Sequence, residues 1–402
     1  MGKMPNTKQA KQEKDYRPSV KIMMALAALL AIGLLFEAGA RAVYVYRDGI
    51  QDLPLVSGIL QQSLSLNPYQ RASNQGGHHW LLRPGYKATQ IDLVAQKKKA
   101  GRDICASTMQ PGPIDRGHKD LAVFQINVDG FKGPELDHSH TRPRILALGD
   151  STTFGIGAYD YTRPLETILN KRGIPAEVIN AGVEGYSPRN LLYEIERYKA
   201  LKPKIVTIFI GWNPLFFYVP WNDAWENRLR AIWLYKSAAR TLKAKFEDPR
   251  VDAERFFYRD LKPDRLAPDV QALHDYTPPF LNRIERLVNE FKSIGTRVTL
   301  VTLPGLFTMS AKPSPQALKI GHLPQFTENP FVLAKLTERY NIALRALAKQ
   351  RDLGLIDLEK WSVLALQPRE AFFSDSVHLT PRGMDLIGSY MAEQLADQLL
   401  KK

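Results

Sequence analysis

The sequence predicts a three-layer α/β/α fold, in which five parallel strands form one sheet between two layers of helices. After residue 142 the chain alternates between short apolar runs and longer helical segments. The runs are nearly continuous in Val, Ile and Leu, which is typical of strands covered on both faces. Regular strand–helix alternation favours parallel strands joined by helical crossovers. The five runs read RILALGD, AEVINAG, KIVTIFIG, TRVTLVTLP and LGLIDLE.

Helical segments are expected between and after these strands. The final helix should begin near Thr380 and Pro381, since Thr is a common N-cap residue and Pro is favoured at the first helical position. In a parallel sheet the reactive groups gather at the carboxyl ends of the strands. The other helical segments are expected at roughly 162–172, 188–201, 280–294 and 330–350.

The N-terminal segment predicts export of the rest of the chain. Residues 22–42 are almost entirely apolar and are predicted to form a transmembrane helix or signal anchor. Residues 1–21 form a basic tail, which the positive-inside rule keeps in the cytoplasm. The sequence Ala-Gly-Ala at 38–40 also resembles a signal-peptide cleavage site, so a cleaved signal is the alternative. Both interpretations place the remainder outside the cytoplasm.

Two further regions surround the predicted strands. Residues 43–141 lack a helical period and are predicted to be an ancillary, β-rich region with Gly, Pro and Asp turns. Residues 214–279 interrupt the strand–helix alternation with an aromatic, helical insertion that includes Trp221, Trp225 and Trp233. This insertion either packs its aromatic side chains inward or forms a lid beside the site.

Composition limits the partners and cofactors that we expect. The chain has 402 residues, a formal net charge of +14 and a single cysteine, which excludes an internal disulfide. The charge suits either anionic surroundings or simply a soluble basic surface. We expect no metal, no other cofactor and no nucleic-acid partner, because the sequence has no zinc-type cysteine pattern and no nucleic-acid motif.

One serine stands where a nucleophile could be activated. Ser151 follows the first predicted strand and precedes a helix, where most serines are only helix caps. A nucleophilic serine needs a base within hydrogen-bond reach and a carboxylate to orient that base. Among eight histidines, His378 follows the fifth strand, and Asp375 lies three residues before it on the same loop. These three residues are candidates for a Ser-His-Asp triad.

Oxyanion donors are expected on the loops beside Ser151. VINAGVEGYSPRN carries Gly182 and Gly185 after the second strand, and IFIGWNP carries Gly211 and Asn213 after the third. Glycine allows a close approach of the backbone, and an asparagine amide donates a hydrogen bond without carrying charge. Any one of these residues alone could be an ordinary turn residue.

Taken in order, these blocks resemble the SGNH/GDSL hydrolase family. The matching blocks are GDS at 149–151, NAGVEG at 180–185, GWN at 211–213 and DSVH at 375–378. The resemblance implies a flavodoxin-like hydrolase domain over 142–402, with Ser151 as nucleophile, His378 as general base and Asp375 as its orienting carboxylate. It further implies that Gly185, rather than Gly182, and Asn213 form the oxyanion hole together with the Ser151 N–H.

The third block departs from the family pattern. The family usually has Asp after the Asn, and this chain has Pro214. That Asp is not the catalytic carboxylate, so the chemistry is retained while the shape of the loop is placed in doubt. INVDGFKGPE and the N-terminal apolar segment further resemble membrane-anchored bacterial members of the family.

These observations predict a serine esterase on the periplasmic side of a bacterial inner membrane, held by a single span. The expected substrate is an ester, with O-acetyl groups on an envelope polysaccharide as the specific hypothesis from location and charge. Two alternatives stay open. One is an O-acetyltransferase that uses the same triad, and the other is a catalytically silent glycan-binding or assembly protein. The sequence leaves the acyl length and the oligomeric state undetermined.

Overall fold

Five parallel strands form the central sheet of the protein. The computed structural model describes residues 18–45, 67–73, 79–89, 92, 96, 123–221 and 260–400. The sheet order is β6-β5-β7-β8-β9, and every neighbouring pair is parallel. All five predicted strands are thereby confirmed. Their bounds are β5 Arg144–Gly149, β6 Glu177–Gly182, β7 Ile205–Phe209, β8 Arg297–Val301 and β9 Gly354–Ile356.

Helices cover both faces of this sheet, as right-handed crossovers require. The connection from β5 to β6 runs in one direction along the sheet and the later connections run in the other, so their helices lie on opposite faces. The main helices are α3 Thr162–Lys171, α4 Pro188–Tyr193, α5 Ile195–Ala200, α8 Leu281–Lys292, α10 Pro330–Arg351 and α12 Pro381–Leu400. Helix α12 packs against α3, and α8 packs against α4 and α5. The three-layer α/β/α prediction is confirmed.

The shorter helices lie in the connections. They are α2 Ser151–Phe154, α6 Trp212–Phe217, α7 Pro268–Gln271, α9 Pro315–Ile320 and α11 Leu358–Ala365, and a 3₁₀ turn spans Arg369–Ala371. Helix α12 begins as predicted, with the Thr380 hydroxyl accepting from the Gly383 N–H at 3.3 Å. The single helix expected at 188–201 is instead two helices that meet at Glu194.

The described N-terminal residues, 18–45, belong to a different compact unit from the one that contains the sheet. Helix α1 spans Pro18–Val45, and its stretch Val20–Ala40 has a mean hydropathy of 2.2. Within the described part of the chain, this is the one helix long and apolar enough to cross a membrane, and its length and position also suit a signal sequence.

Four short strands lie among the described residues before residue 142. They form two antiparallel pairs, β1 with β2 and β3 with β4. Tyr69 and Phe124 pack their rings against each other and against Phe154 of α2, at centroid distances of 4.9–5.8 Å. The bounds are β1 Gln70–Ala72, β2 Trp80–Leu82, β3 Lys87–Thr89 and β4 Val123–Gln125.

A buried lysine from this region closes the end of α2. The Lys132 ammonium donates to the Phe154 carbonyl at 2.6 Å and to the Tyr159 carbonyl at 3.0 Å. It also lies 3.5 Å from the Asp160 carboxylate. Strands β1–β4 therefore belong to the core that carries Ser151, in the same compact unit as the sheet.

The predicted insertion is described only at its two ends. Helix α6 opens it, and Trp221 packs edge-on against Phe326 at 5.5 Å between ring centroids. Residues 260–279 close it with the short helix α7. Trp225 and Trp233 lie outside the described residues, so the choice between inward packing and a lid stays a prediction.

Candidate active site

Ser151 lies at the switch point of the sheet. Strand β5 lies between β6 and β7. The chain leaves the carboxyl end of β5 toward β6 and that of β7 toward β8, and these opposite directions open a crevice between the two strand ends. Gly149 ends β5, Asp150 caps α2, and Ser151 is the first residue of that helix. The serine hydroxyl is therefore presented at the edge where ligands bind in sheets of this kind.

Asp150 fixes the turn that presents Ser151. One carboxylate oxygen accepts from the Thr152 N–H at 3.0 Å, and the other accepts from the Gly211 and Trp212 N–H groups at 3.4 and 3.3 Å. The side chain is fully buried, and burial raises the pKa of its carboxyl group. Asp150 thus joins the serine turn to the loop that carries Asn213.

Ser151, His378 and Asp375 lie in one hydrogen-bonded series. The Ser151 Oγ is 2.7 Å from the His378 Nε2, across 227 positions of sequence. The His378 Nδ1 is 2.7 Å from the Asp375 Oδ2. The imidazole can therefore accept the serine proton while the carboxylate orients the ring. This arrangement can turn a serine hydroxyl into a nucleophile.

The loop carrying Asp375 and His378 is fixed by its own backbone. The Asp375 Oδ1 accepts from the Val377 and His378 N–H groups, both at 2.8 Å, which leaves Oδ2 for the imidazole. The Ser374 N–H donates to the His378 carbonyl at 2.9 Å and closes the turn. The carboxylate is fully buried, while the imidazole is 19% exposed. These backbone hydrogen bonds therefore hold the Asp375 carboxylate with its Oδ2 facing the imidazole of His378.

The charges of this pair shift both pKa values. Burial alone would lower the pKa of His378, but the Asp375 carboxylate outweighs it and raises that pKa above its usual value. Burial alone would raise the pKa of Asp375, but the His378 and His322 imidazoles and the hydrogen bonds from His378 outweigh it and hold that pKa well below its usual range. The pair therefore favours an ionised carboxylate beside a more basic imidazole.

A second histidine lies beside the same carboxylate. His322 lies in a loop after α9 and is not among the predicted site residues. Its Nδ1 is 3.9 Å from the Asp375 Oδ1, and its ring lies 5.1 Å from the Phe216 ring. Its backbone N–H donates to the Ser376 hydroxyl at 2.9 Å. No sequence signal marks this contact, because the two loops are 54 positions apart.

The two predicted oxyanion residues lie close together, Gly185 on the loop after β6 and Asn213 as the second residue of α6. Gly185 has a φ of +78°, a conformation that residues with a side chain rarely adopt. The Asn213 side-chain amide donates to the Tyr186 carbonyl at 2.9 Å, which joins the start of α6 directly to the loop that carries Gly185. Gly182, the alternative, is the last residue of β6 and packs against the backbone of α2. Pro214 is accommodated in the first turn of α6, one residue after Asn213.

The other described histidines have separate surroundings. His79 is buried, with its Nε2 3.0 Å from the Glu194 carboxylate, whereas His138, His140 and His274 lie on the surface. Within the described ranges, no group of three His, Cys, Asp or Glu side chains is placed to hold a metal ion.

Comparisons with known proteins bear on this site. A profile of the GDSL-like lipase/acylhydrolase family matches residues 147–386, a stretch that contains all five predicted site residues. Among solved structures, the chain is similar to a lipase/acylhydrolase from Enterococcus faecalis, at 18% identity over 65% of this chain and 98% of that one, with a TM-score of 0.37. It is also similar to an acetylxylan esterase from Geobacillus stearothermophilus, a catalytic mutant, at 15% identity over 65% and 97% of the two chains, with a TM-score of 0.41. A search of curated proteins found no match.

Proposed function

Since this chain belongs to the GDSL-like lipase/acylhydrolase family and is an ester-cleaving enzyme, we propose that Ser151 is its nucleophile. His378 is the general base, and Asp375 orients the imidazole. The observation that carries the proposal is the pair of 2.7 Å contacts that join the three side chains in series. A hydroxyl needs this activation, because an isolated serine is a weak nucleophile.

The proposed reaction has two halves. In the first, the Ser151 Oγ forms a bond to the ester carbonyl carbon while the His378 Nε2 takes the hydroxyl proton. The tetrahedral intermediate collapses, its bond to the alkoxy oxygen breaks, and His378 returns the proton to the departing alcohol. In the second, His378 takes a proton from water as the water attacks the acyl-enzyme. The second tetrahedral intermediate collapses, its bond to the Ser151 Oγ breaks, and His378 returns the proton to Oγ as the carboxylic acid leaves.

The negative charge of each intermediate needs fixed donors. We assign them to the backbone N–H groups of Ser151 and Gly185 and to the Asn213 side chain. The Asn213 amide has two hydrogens, and the bond to the Tyr186 carbonyl uses one and fixes the plane of the amide. The second hydrogen is the one proposed for the oxyanion. Preorganised donors of this kind lower the barrier because they need no reorientation during the reaction.

For the substrate we propose O-acetyl groups on an envelope polysaccharide, with the enzyme anchored in the inner membrane and its site on the periplasmic side. The apolar helix α1 with its preceding basic residues supports export of the site. The formal net charge of +14 supports a polymer with anionic character. A short acyl group and a sugar leaving group are therefore the proposed substrate features.

Two assays on the full-length protein in detergent test this function. The first follows a p-nitrophenyl ester series from acetyl to long acyl chains, with wild type, Ser151→Ala and the surface control Ser293→Ala. We expect hydrolysis by wild type and the control, and only background hydrolysis by Ser151→Ala. Unchanged turnover in Ser151→Ala would contradict the assignment of the nucleophile.

The second assay tests the substrate. Acetylated envelope polysaccharide should release acetate with wild type and none above background with Ser151→Ala. Cleavage of long acyl esters without attack on the acetylated glycan would refute the substrate proposal while leaving the triad intact. Transfer of the acetyl group to an added acceptor glycan, in place of acetate release, would identify an acetyltransferase with the same nucleophile.

A further inference from the structure

The loop that carries Gly185 is held by the β1–β2 hairpin, a part of the chain outside the family match. We propose that Trp80 of this hairpin is a positioning residue that sets the direction of the Gly185 N–H. The inference rests on the proposed function, since it assigns a support to the proposed oxyanion hole. It also gives the N-terminal hairpin a role in the reaction.

The central contact is a hydrogen bond to the peptide group of Gly185. The Trp80 Nε1–H donates to the Glu184 carbonyl at 3.1 Å. The Glu184 carbonyl and the Gly185 N–H belong to one planar peptide unit and point in opposite directions. Fixing the carbonyl toward the indole therefore fixes the N–H on the opposite side. The indole N–H, the peptide group and the oxyanion would form a chain in which each hydrogen bond polarises the next.

The indole also limits the space around Gly185. A Cβ atom built on Gly185 would lie 2.8 Å from the Trp80 Cζ2, closer than real side-chain contacts allow. The glycine therefore packs its Cα directly against the ring while holding a φ of +78°. A rotation of this peptide unit would break the hydrogen bond and lose the ring contact together.

The residues on both sides of Gly185 are tied to the same part of the chain. The Glu184 carboxylate accepts from the Asn67 side-chain amide at 2.8 Å and from the Tyr69 hydroxyl. On the other side, the buried Tyr186 hydroxyl donates to the Trp80 carbonyl, and its ring lies edge-on to the indole at 5.8 Å. Trp80 thus donates a hydrogen bond from its indole N–H to Glu184, before the glycine, and its carbonyl accepts one from Tyr186, after the glycine.

The hairpin is itself anchored, so it can hold the loop. The His79 ring lies 3.0 Å from the Glu194 carboxylate and 3.3 Å from the Asn190 amide, at the helices that follow the loop. His79 is fully buried and Glu194 nearly so. A residue that positions an oxyanion donor should affect the transition state more than substrate binding, because the charge develops only during the reaction.

The test uses the full-length protein and the variant Trp80→Phe, which keeps an aromatic ring and removes the N–H. The matched control is Trp361→Phe, since Trp361 stacks on Tyr390 of the last helix at 4.6 Å. We measure kcat and KM on p-nitrophenyl acetate and the inhibition constant of an alkyl boronic acid, which forms an anionic tetrahedral adduct with serine. Each kcat is expressed per folded molecule, from the thermal unfolding curve.

For Trp80→Phe we expect kcat and boronate affinity to fall together by about 10- to 100-fold. This decrease is smaller than the one expected when an oxyanion donor is removed outright. KM should change by less than about threefold. The control should match wild type. Tyr186→Phe removes the hydrogen bond from the Tyr186 hydroxyl to the Trp80 carbonyl. This variant should also lower kcat and leave KM unchanged. Wild-type kcat and boronate affinity in both variants, or a loss confined to KM, would overturn the inference. If the wild-type protein cleaved no ester, the proposed function itself would fail instead.

Discussion

Replacing Asp375 with Asn tests the electrostatic arrangement of the triad. The Asp375 Oδ1 is fixed by the N–H groups of Val377 and His378, both at 2.8 Å, so an Asn oxygen should take that place. The Asn amide would then donate to the His378 Nδ1, now 2.7 Å from Oδ2. This places the imidazole proton on Nε2, which faces Ser151 and can then no longer accept its proton.

The expected loss follows from this change of tautomer. Enzymes with a serine triad lose about 10⁴-fold in kcat when the Asp becomes Asn, which is about 5 kcal/mol at 1.36 kcal/mol per decade. The remaining activity should also change its dependence on pH. The Asp375 charge raises the pKa of His378 against the effect of burial. Without that charge, burial dominates and the pKa of His378 should fall.

The assay is the pH profile of kcat/KM on a p-nitrophenyl ester. The base must be neutral, so activity is lost as pH falls through the pKa of His378, which in wild type lies above the usual value of about 6.5. For Asp375→Asn we expect an acid limb at lower pH and a kcat about 10⁴-fold lower. Asp397→Asn, at an exposed carboxylate of α12, is the control. A kcat within about tenfold of wild type, or an unmoved acid limb, would refute this reasoning.

Three further predictions concern the oxyanion loop, the core and the anchor. Gly185→Ala should lower kcat by about 10²-fold or more, because its φ of +78° and the 2.8 Å approach of Trp80 leave no room for a Cβ, and wild-type kcat would contradict this. Lys132→Met should lower the free energy of unfolding by about 3–5 kcal/mol in urea titrations, whereas the exposed Lys262→Met should change it little. Equal losses in these two lysine variants would count against the buried network. Deleting residues 1–45 should move the protein from the membrane to the soluble fraction. Its kcat/KM on a soluble ester should be retained. A deletion product that stays in the membrane fraction would contradict the proposal that α1 is the anchor.

The sheet and the closeness of Ser151, His378 and Asp375 could be predicted from sequence because each depends on local patterns. Apolar runs identified the five strands, and parallel strands bring their carboxyl ends to one edge. Ser151 directly follows β5, and His378 lies in the connection after β9 that also contains α11 and the 3₁₀ turn. Both were expected at this edge, although they are 227 positions apart. The Asp375 contact was predictable because the two residues share one loop.

The supports of the site depend on long-range contacts that leave no periodic signal. Trp80 reaches the Glu184 carbonyl across 104 positions, and the helix predicted at 188–201 divides at Glu194, whose carboxylate pairs with His79 across 115 positions. His322 approaches Asp375 from a separate loop, and its own flanking sequence shows no motif. None of these partners stands in a sequence pattern that marks its position in the fold, so these contacts become visible only once the chain is folded.

The central claim is that Ser151 is the residue that attacks the ester. Its most direct test is to treat the full-length protein with a fluorophosphonate and locate the adduct by mass spectrometry of the digested protein. We expect a single phosphonylated site at Ser151, formed with the loss of esterase activity, and no adduct in Ser151→Ala. An adduct on another serine, or full inhibition with the Ser151 peptide unmodified, would contradict the claim.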